Sequence, residues 1–310
     1  MAMKKNVPDK QYDLLIIGGG PAGLTAAAYA IRKRVETMLI SEDLGGKTNY
    51  QFSLPNTETH NIIDGQELVS KFKSQLEYLD FARHMGKVTK LEKTAKGFVA
   101  TTEENSFKAK AAIIATGVSA KRLDVPGEKE FLGRGVSYST VSHAHIFIDK
   151  EVAVVGEGAN TLKAAAELAQ TARKVNVIGV SSKDLSSPLG RKLKESRKAE
   201  FFSDYKVKEI RGTDAPEKII LRSRSSQTEI PVTGVFVELG YVPNTGFLSH
   251  LVKKSKDGRI VINENNQTSI PGLFAAGDVT DVNAQQVVIA IGEGANAALS
   301  AYNYLLTLRP

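Results

Sequence analysis

An apolar run, Tyr12-Asp13-Leu14-Leu15-Ile16-Ile17, stops at Gly18-Gly19-Gly20-Pro21-Ala22-Gly23 and gives way to an Ala-rich stretch from Leu24 to Ile31. That pattern predicts a short strand, a glycine turn and a helix that starts at once. A second strand follows at Thr37 to Ile40, with Glu42 just beyond it. In such a unit Gly18 permits the tight turn, Gly20 lets a pyrophosphate approach the backbone, and Gly23 lets the helix pack close to the strand. The phosphates would meet the open amides of the helix N-terminus, and Glu42 would bond a ribose hydroxyl. Strand, helix, second strand and acid stand in the order a dinucleotide site requires.

Further on, Gly45-Gly46-Lys47 predicts a backbone-exposing turn. The polar segment Thr48 to Gly65, with Asn56 after Pro55, predicts a loop lying over a ligand. From Glu67 to Phe81 the apolar positions Leu68, Val69, Phe72, Leu76, Tyr78 and Leu79 have helical spacing. Val88 to Leu91, Gly97 to Thr102 and Phe107 to Lys110 predict a small antiparallel meander. Ala111 to Gly117 predicts a further, buried strand whose small-residue end can approach a cofactor.

The opening pattern then recurs. Val152 to Val155 predicts a strand, followed by Gly156-Glu157-Gly158-Ala159-Asn160-Thr161, a helical run from Leu162 to Ala172, and a strand from Val175 to Val180. Near the end, Thr268 to Val279 predicts a strand closing on Gly277-Asp278, with Asp278 placed to accept a hydrogen bond from a polyol or ribityl hydroxyl. Gln285-Gln286-Val287 opens a last Ala- and Gly-rich helix through Tyr304, whose first amides would face a ring carbonyl. The expected fold is therefore α/β, two Rossmann-like nucleotide-binding domains with the second inserted into the first. The outer domain is expected at 1–118 and 246–310 and the inserted one at 119–245, with hinges at Ala120 to Leu123 and Val242 to Gly246.

Composition narrows the chemistry. The 310 residues include no cysteine, which excludes disulfides, thiolate nucleophiles and thiolate metal ligands. His143 and His145 would share one strand face, but no third ligand stands near and no metal site is expected. The net charge of +7 favours acidic partners through electrostatic steering. No nucleic-acid motif accompanies that charge, and no segment is apolar enough to span a bilayer, so neither partner is expected. Met1 to Lys10 lacks the apolar core of a signal peptide, and a cytoplasmic location is expected. The basic run Arg191-Lys192-Leu193-Lys194 through Arg197-Lys198 reads as the exposed face of one helix.

Over nearly its whole length the chain resembles the low-molecular-weight thioredoxin reductases and their relatives among the FAD-dependent pyridine nucleotide-disulfide oxidoreductases. The resemblance is carried by Gly18 to Gly23, Gly45-Gly46, Ala115-Thr116-Gly117, Pro126-Gly127-Glu128, Gly240-Tyr241-Val242-Pro243-Asn244, Gly277-Asp278 and Gly292-Glu293-Gly294. It implies FAD along the first domain, with the pyrophosphate at Gly20 to Gly23, the ribityl chain at Asp278 and the isoalloxazine at Thr116, Gln286 and Val287. Gly117, Gly277 and Val88 belong to the same implied site. A homodimer is also implied.

Three departures shape the functional reading. The family's Cys-x-x-Cys pair falls on Ser139-Thr140-Val141-Ser142, and its following acid on His143. Serine cannot take electrons from a flavin; His143 reads either as a proton donor near the flavin or as a residue satisfied within its own strand. In the second glycine motif Glu157 stands in the phosphate turn, where two charges about 4–5 Å apart cost on the order of 3 kcal/mol at an effective dielectric near 20. The family's His-Arg-Arg group is replaced there by Gly179-Val180-Ser181-Ser182, with only Lys183 and Arg191 as substitutes. NAD(P)H is thus expected to bind poorly. Lys47 stands where the family has Gln, either favouring an anionic reduced flavin or reaching phosphate or solvent. The expected function is an FAD-dependent oxidoreductase without disulfide chemistry, passing electrons directly between flavin and a small molecule or an acidic carrier of the ferredoxin or flavodoxin type. Two alternatives stay open: an NAD(P)H-dependent flavin or ferredoxin reductase, and a non-catalytic flavoprotein redox sensor.

Overall fold

The structure, a computed structural model, describes residues 10–55, 65–77, 79, 82–282 and 284–308. It divides into two compact units, Met1–Asn49 with Ile63–Ser119 and Val242–Pro310, and Tyr50–Ile62 with Ala120–Tyr241. Each is α/β; the first unit's sheet is mixed, parallel apart from the strands Lys90–Thr94 and Gly97–Thr101, and the second unit's five-stranded sheet is parallel.

The first unit opens with β1 (Gln11–Ile17), α1 (Pro21–Arg32), β2 (Thr37–Ser41), α2 (Gly65–Glu77) and β3 (Arg83–Met85). It continues through β4 (Lys90–Thr94), β5 (Gly97–Thr101) and β6 (Ser106–Ile114). The sheet order is β3-β2-β1-β6-β5-β4. Leu14 to Ile17 are all buried because β1 is covered on both faces. Leu14 and Ile16 face the helix layer, with Ala27 and Ala30 of α1, while Leu15 and Ile17 join Met38, Ile40, Ala112 and Ile114 on the other side.

The expected meander strand Phe107 to Lys110 and the expected strand Ala111 to Gly117 prove to be one element, β6, ending at Ile114. Its amino half, Ser106 to Ala109, pairs antiparallel with β5, and Lys108 to Ile114 pair parallel with β1. Two different neighbours on one strand explain why the sequence pattern changes midway without a turn. The helix expected over 67–81 ends at Glu77, and the strand expected from Val88 begins at Lys90.

The chain leaves this unit on β7 (Val118–Ala120) and enters the second through β8 (Val136–Ser137), α3 (Thr140–His143), β9 (Glu151–Gly156) and α4 (Gly158–Thr171). Next come β10 (Lys174–Ile178), α5 (Ser182–Leu185), α6 (Pro188–Glu195) and β11 (Ala199–Phe202). An antiparallel trio, β12 (Lys206–Gly212), β13 (Pro216–Arg222) and β14 (Gln227–Pro231), precedes β15 (Gly234–Glu238). The parallel sheet runs β11-β10-β9-β15-β8. Val152 and Val154 face α4 and α6, and Ala153 and Val155 face Ile210, Ile219 and Leu221 of the trio. The segment beginning at Tyr50 clusters with this unit, where Leu54 is buried in the α4 core.

Two expectations change here. His143 ends the helix α3 and His145 lies in the following 3-10 turn, Ala144–Phe147, so they share no strand face. Ser139 caps α3 by accepting the Ser142 amide at 3.3 Å, which is what makes this stretch helical. In the basic run, α6 ends at Glu195, leaving Arg197 and Lys198 beyond it.

After β16 (Tyr241–Pro243) the chain completes the first unit with β17 (Leu273–Ala275) and α7 (Val287–Thr307). The strand expected over Thr268 to Val279 is only β17, which pairs with Ala112 to Ile114 on the edge of β6 that β5 vacates. Helix α7 packs on α1 at backbone distance: a Cβ on Gly294 would lie 2.1 Å from the Ala22 carbonyl oxygen. Gly294→Ala should therefore force the helices apart and lower stability by about 1–3 kcal/mol, read as a lower urea midpoint. An unchanged midpoint would show that α7 shifts at no cost.

Candidate functional site

Strands β1, β2, β6 and β17 all present their carboxyl ends to the start of α1, the position where open parallel sheets bind ligands. Gly18 turns there with φ of 111°, and a Cβ would strike the Ala115 carbonyl at 2.3 Å. The turn is clamped by the β2 connection. The Gly18 amide donates to Ile40 O at 2.9 Å, the Gly19 amide to Ser41 Oγ at 2.7 Å, and the Gly45 amide to Gly19 O at 2.7 Å. The Gly46 amide donates to Asp43 Oδ1 at 2.7 Å, which sets Gly46 against Gly20. Ser41 and Asp43 were not singled out from the sequence, and Glu293 entered only as part of the Gly292-Glu293-Gly294 motif. Their roles arise from side chains that bond backbone, a use that leaves no spacing signal.

At Gly20 itself the surroundings differ. Gly20 is the N-cap of α1; among the described residues no side chain caps the helix, its first turn carries no acid, and a Cβ at Gly20 would meet nothing within 4 Å. Pro21 starts the helix with a residue that needs no amide partner, and Ala22 is buried beside Gly277, whose Cβ would lie 3.0 Å from the Ala22 methyl. Gly23 packs on the turn, its Cβ position 1.8 Å from Gly18 O. The helix end thus offers amides and positive potential to an anion that can come up to the backbone.

The other expected residues arrange around this end as follows. Asp278 is largely buried and forms an ion pair with Lys47, on the turn Gly46–Asn49. The Gly277 amide donates to Glu293 Oε2 at 2.6 Å, and burial raises the Glu293 carboxyl above its ordinary range. Thr116 and Gly117 lie just past β6. The Thr116 hydroxyl donates to Asn244 O at 2.8 Å and the Asn244 side-chain amide returns a bond to Thr116 O at 2.9 Å. Gln286 is the N-cap of α7 without a side-chain cap bond, and Val287 lies 3.0 Å from the Cβ position of Gly65. Glu42 is exposed just past β2, 3.6 Å from Lys87. Val88 is buried in the link between β3 and β4. Asn56 lies outside the described residues.

In the second unit, Ser139 Oγ donates to Ser142 Oγ at 2.8 Å, so the two serines pair with each other. His143 stacks on Phe52 with ring centroids 4.2 Å apart, and its Nδ1 lies 2.7 Å from Ser137 Oγ. Burial, helped by the neighbouring His145, pushes the His143 pKa down to about 4. At neutral pH it is an uncharged residue satisfied inside its own unit.

Residues 12–294 match the profile of the family described as pyridine nucleotide-disulphide oxidoreductase. The F component of alkyl hydroperoxide reductase from Staphylococcus aureus (strain Mu50) is 34% identical over 300 residues, covering 95% of this chain and 59% of that protein. The chain therefore spans about 59% of the length of the curated relatives it matches first. Among solved structures, thioredoxin reductase from Streptococcus pyogenes MGAS5005 is similar with a TM-score of 0.86 and 34% identity, over 98% of this chain and 100% of that one. Thioredoxin reductase from Giardia duodenalis is similar with a TM-score of 0.84 and 28% identity, over 96% and 100%.

The depressed His143 pKa has a consequence for stability. Between its ordinary value of 6.5 and about 4, the unfolded chain takes up a proton that the folded chain refuses. Stability conferred by this site is therefore whole above pH 6.5 and is lost as pH falls toward 4, by at most about 3 kcal/mol. Urea midpoints measured near neutrality and near the lower value should drop less in His143→Gln than in the wild type. Equal drops would show that His143 titrates normally.

Proposed function

The chain belongs to the pyridine nucleotide-disulphide oxidoreductase family and is an oxidoreductase of thioredoxin reductase-like fold, and we propose that it holds one FAD in the first unit and exchanges electrons directly between that flavin and its partner. The observation that carries this reading is the amino end of α1. A glycine with open space around its Cβ position, an uncapped twelve-residue helix and an acid-free first turn fit a pyrophosphate, and among the described residues no side chain of the unit caps that end in its place.

In this reading the amides of Gly20 to Gly23 bind the pyrophosphate, Glu42 the ribose, and Asp278 the ribityl chain. Thr116, Gly117, Gln286 and Val287 border the isoalloxazine. The bound FAD supplies the capacity to accept and release electrons. The chain's contribution is to hold the cofactor, through a helix end that is already oriented, and to keep a cation beside it. Lys47 is fixed by Asp278, so its ammonium stands at the ribityl position and favours negative charge developing nearby. Thr116 is bound to Asn244 and acts through its backbone rather than its hydroxyl.

The route out of the flavin follows from composition. With no cysteine in the chain, no side chain here can carry the mixed disulfide that thiol exchange requires. Ser139 and Ser142 keep the α3 turn but offer only hydroxyls. The net charge of +7 suits an acidic carrier protein of ferredoxin or flavodoxin type as the large partner, with a small molecule as the other choice. A redox sensor would show the same bound flavin without turnover. Among the described residues no helix is long and apolar enough to cross a membrane.

Purified protein should be yellow, with about one FAD per chain measured by absorbance after release. Gly20→Glu should abolish it, because a carboxylate would occupy the pyrophosphate position. Wild-type protein that is colourless and takes up no added FAD would overturn the reading. The holoprotein should also fail to reduce thioredoxin with any donor in the absence of added thiol; steady reduction would refute the direct route.

A further inference from the structure

The family's name implies a pyridine nucleotide, and the β9–α4 turn of the second unit is where its diphosphate would meet helix amides. The residues present do not fit one. Gly158 opens α4 with φ of 72° and no atom within 4 Å of its Cβ position, so the backbone is approachable. The charges around it are the wrong sign. Glu157 is the N-cap residue, exposed, and makes no capping bond with its side chain.

A second carboxylate comes from the neighbouring connection. Gly179, with φ of 93°, brings the end of β10 against β9, its Cβ position 2.9 Å from Gly156 O. The chain then enters α5, where a capping box fixes Asp184: its Oδ2 accepts from the Ser181 amide at 3.0 Å and from Ser181 Oγ at 2.6 Å. The bonds from Ser181 hold the Asp184 carboxyl below the ordinary range.

The two cations that could replace the family's basic group both lie on this connection. Lys183 is the residue before Asp184 in α5. Arg191 donates to Ser186 O, within its own helix pair. At the end of β15, Glu238 lies opposite Gly156 in the sheet and accepts from Thr140 Oγ1 at 2.6 Å. Burial raises its carboxyl, as it does that of nearby Glu167. Thr161, where close packing asks for a small residue, is buried and donates to Glu157 O at 3.0 Å.

We propose that Glu157, at the amino end of α4, and Asp184, on the connection that Gly179 brings against that turn, set two carboxylates where a nucleotide diphosphate would approach. They make the second unit reject NADH and NADPH. The first unit's flavin is then reduced by a donor other than a pyridine nucleotide, a consequence that rests on the function proposed above. The rejection itself concerns the second unit alone.

The test is direct calorimetric titration of the holoprotein with NADH, NADPH and ADP-ribose, independent of turnover. Wild-type protein should give no binding at micromolar nucleotide. The double variant E157S/D184N keeps a hydrogen-bonding side chain at the capping box and should bind at least about tenfold more tightly. Micromolar binding by the wild type would overturn the proposal, and so would a folded double variant that binds no better than wild type. Asp184→Asn alone gives a second check: it should also strengthen binding, and a loss or no change counts against the role given to Asp184. Bound flavin, read from the same samples by absorbance, reports separately on whether the first unit holds FAD.

Discussion

Backbone contact around the start of α1 is the constraint on which the first unit depends. Gly23 rests on Gly18 O, and Gly294 rests on the Ala22 carbonyl, so α1 is held between strand turn and α7 with no side chain intervening at either contact. Such contacts fix the helix axis closely, since a displacement of even one methyl group would be felt. They also leave the first amides of α1 aimed outward. A rigid helix end with unspent donors is a preorganised anion site, which is why packing glycines and binding glycines occur in one short motif.

The second unit repeats that architecture with a different electrostatic outcome. Both helices start after a strand and a glycine, and neither has a side-chain cap from its own N-cap residue. At α1 the N-cap is Gly20, and the Asp278 carboxylate that follows Gly277 is paired with Lys47. At α4 the N-cap is Glu157, and Asp184, fixed by the α5 capping box, adds a second carboxylate on the neighbouring connection. Each helix end leaves its backbone approachable, and in the proposed reading local charge separates a site that welcomes an anion from one that repels it. A glycine fingerprint alone therefore says little about occupancy.

Much of the first unit was legible in the sequence because its signals are local. The β1–α1 turn is written in Leu14 to Ile17 and in the spacing of Gly18, Gly20 and Gly23; Gly18 and Gly23 have a steric reason in the structure, while the space at Gly20 is open. Signals that depend on distant partners were not legible. The continuity of β6 depends on two neighbours meeting one strand, and the helical state of Ser139 to His143 depends on a cap and on Phe52 packing against the imidazole. Lys47 appeared as a substitution with two readings; only the fold brings it to Asp278, across more than two hundred residues of chain. Asp184 carried no motif at all, since its place depends on the Ser181 cap and on the approach of Gly179 to Gly156.

The serine pair sharpens the functional argument. Ser139 and Ser142 bond to each other and cap α3, so this stretch has a structural role without a redox-active sulfur. His143 beside them is neutral and satisfied by Ser137 and Phe52, so it supplies neither a stored charge nor a free acid at neutral pH. Neither the second unit's serines nor its histidine then offers a reservoir for electrons or for a mobile proton. In the proposed reading, redox work concentrates on the first unit, and selectivity passes to whatever can come close to the flavin there. Long-range attraction between a basic surface and an acidic carrier is one physical means of choosing such a partner, and it weakens as the Debye length shortens to about 10 Å near 0.1 M salt. Salt dependence of the transfer rate is therefore the property that separates a carrier protein from a small neutral substrate.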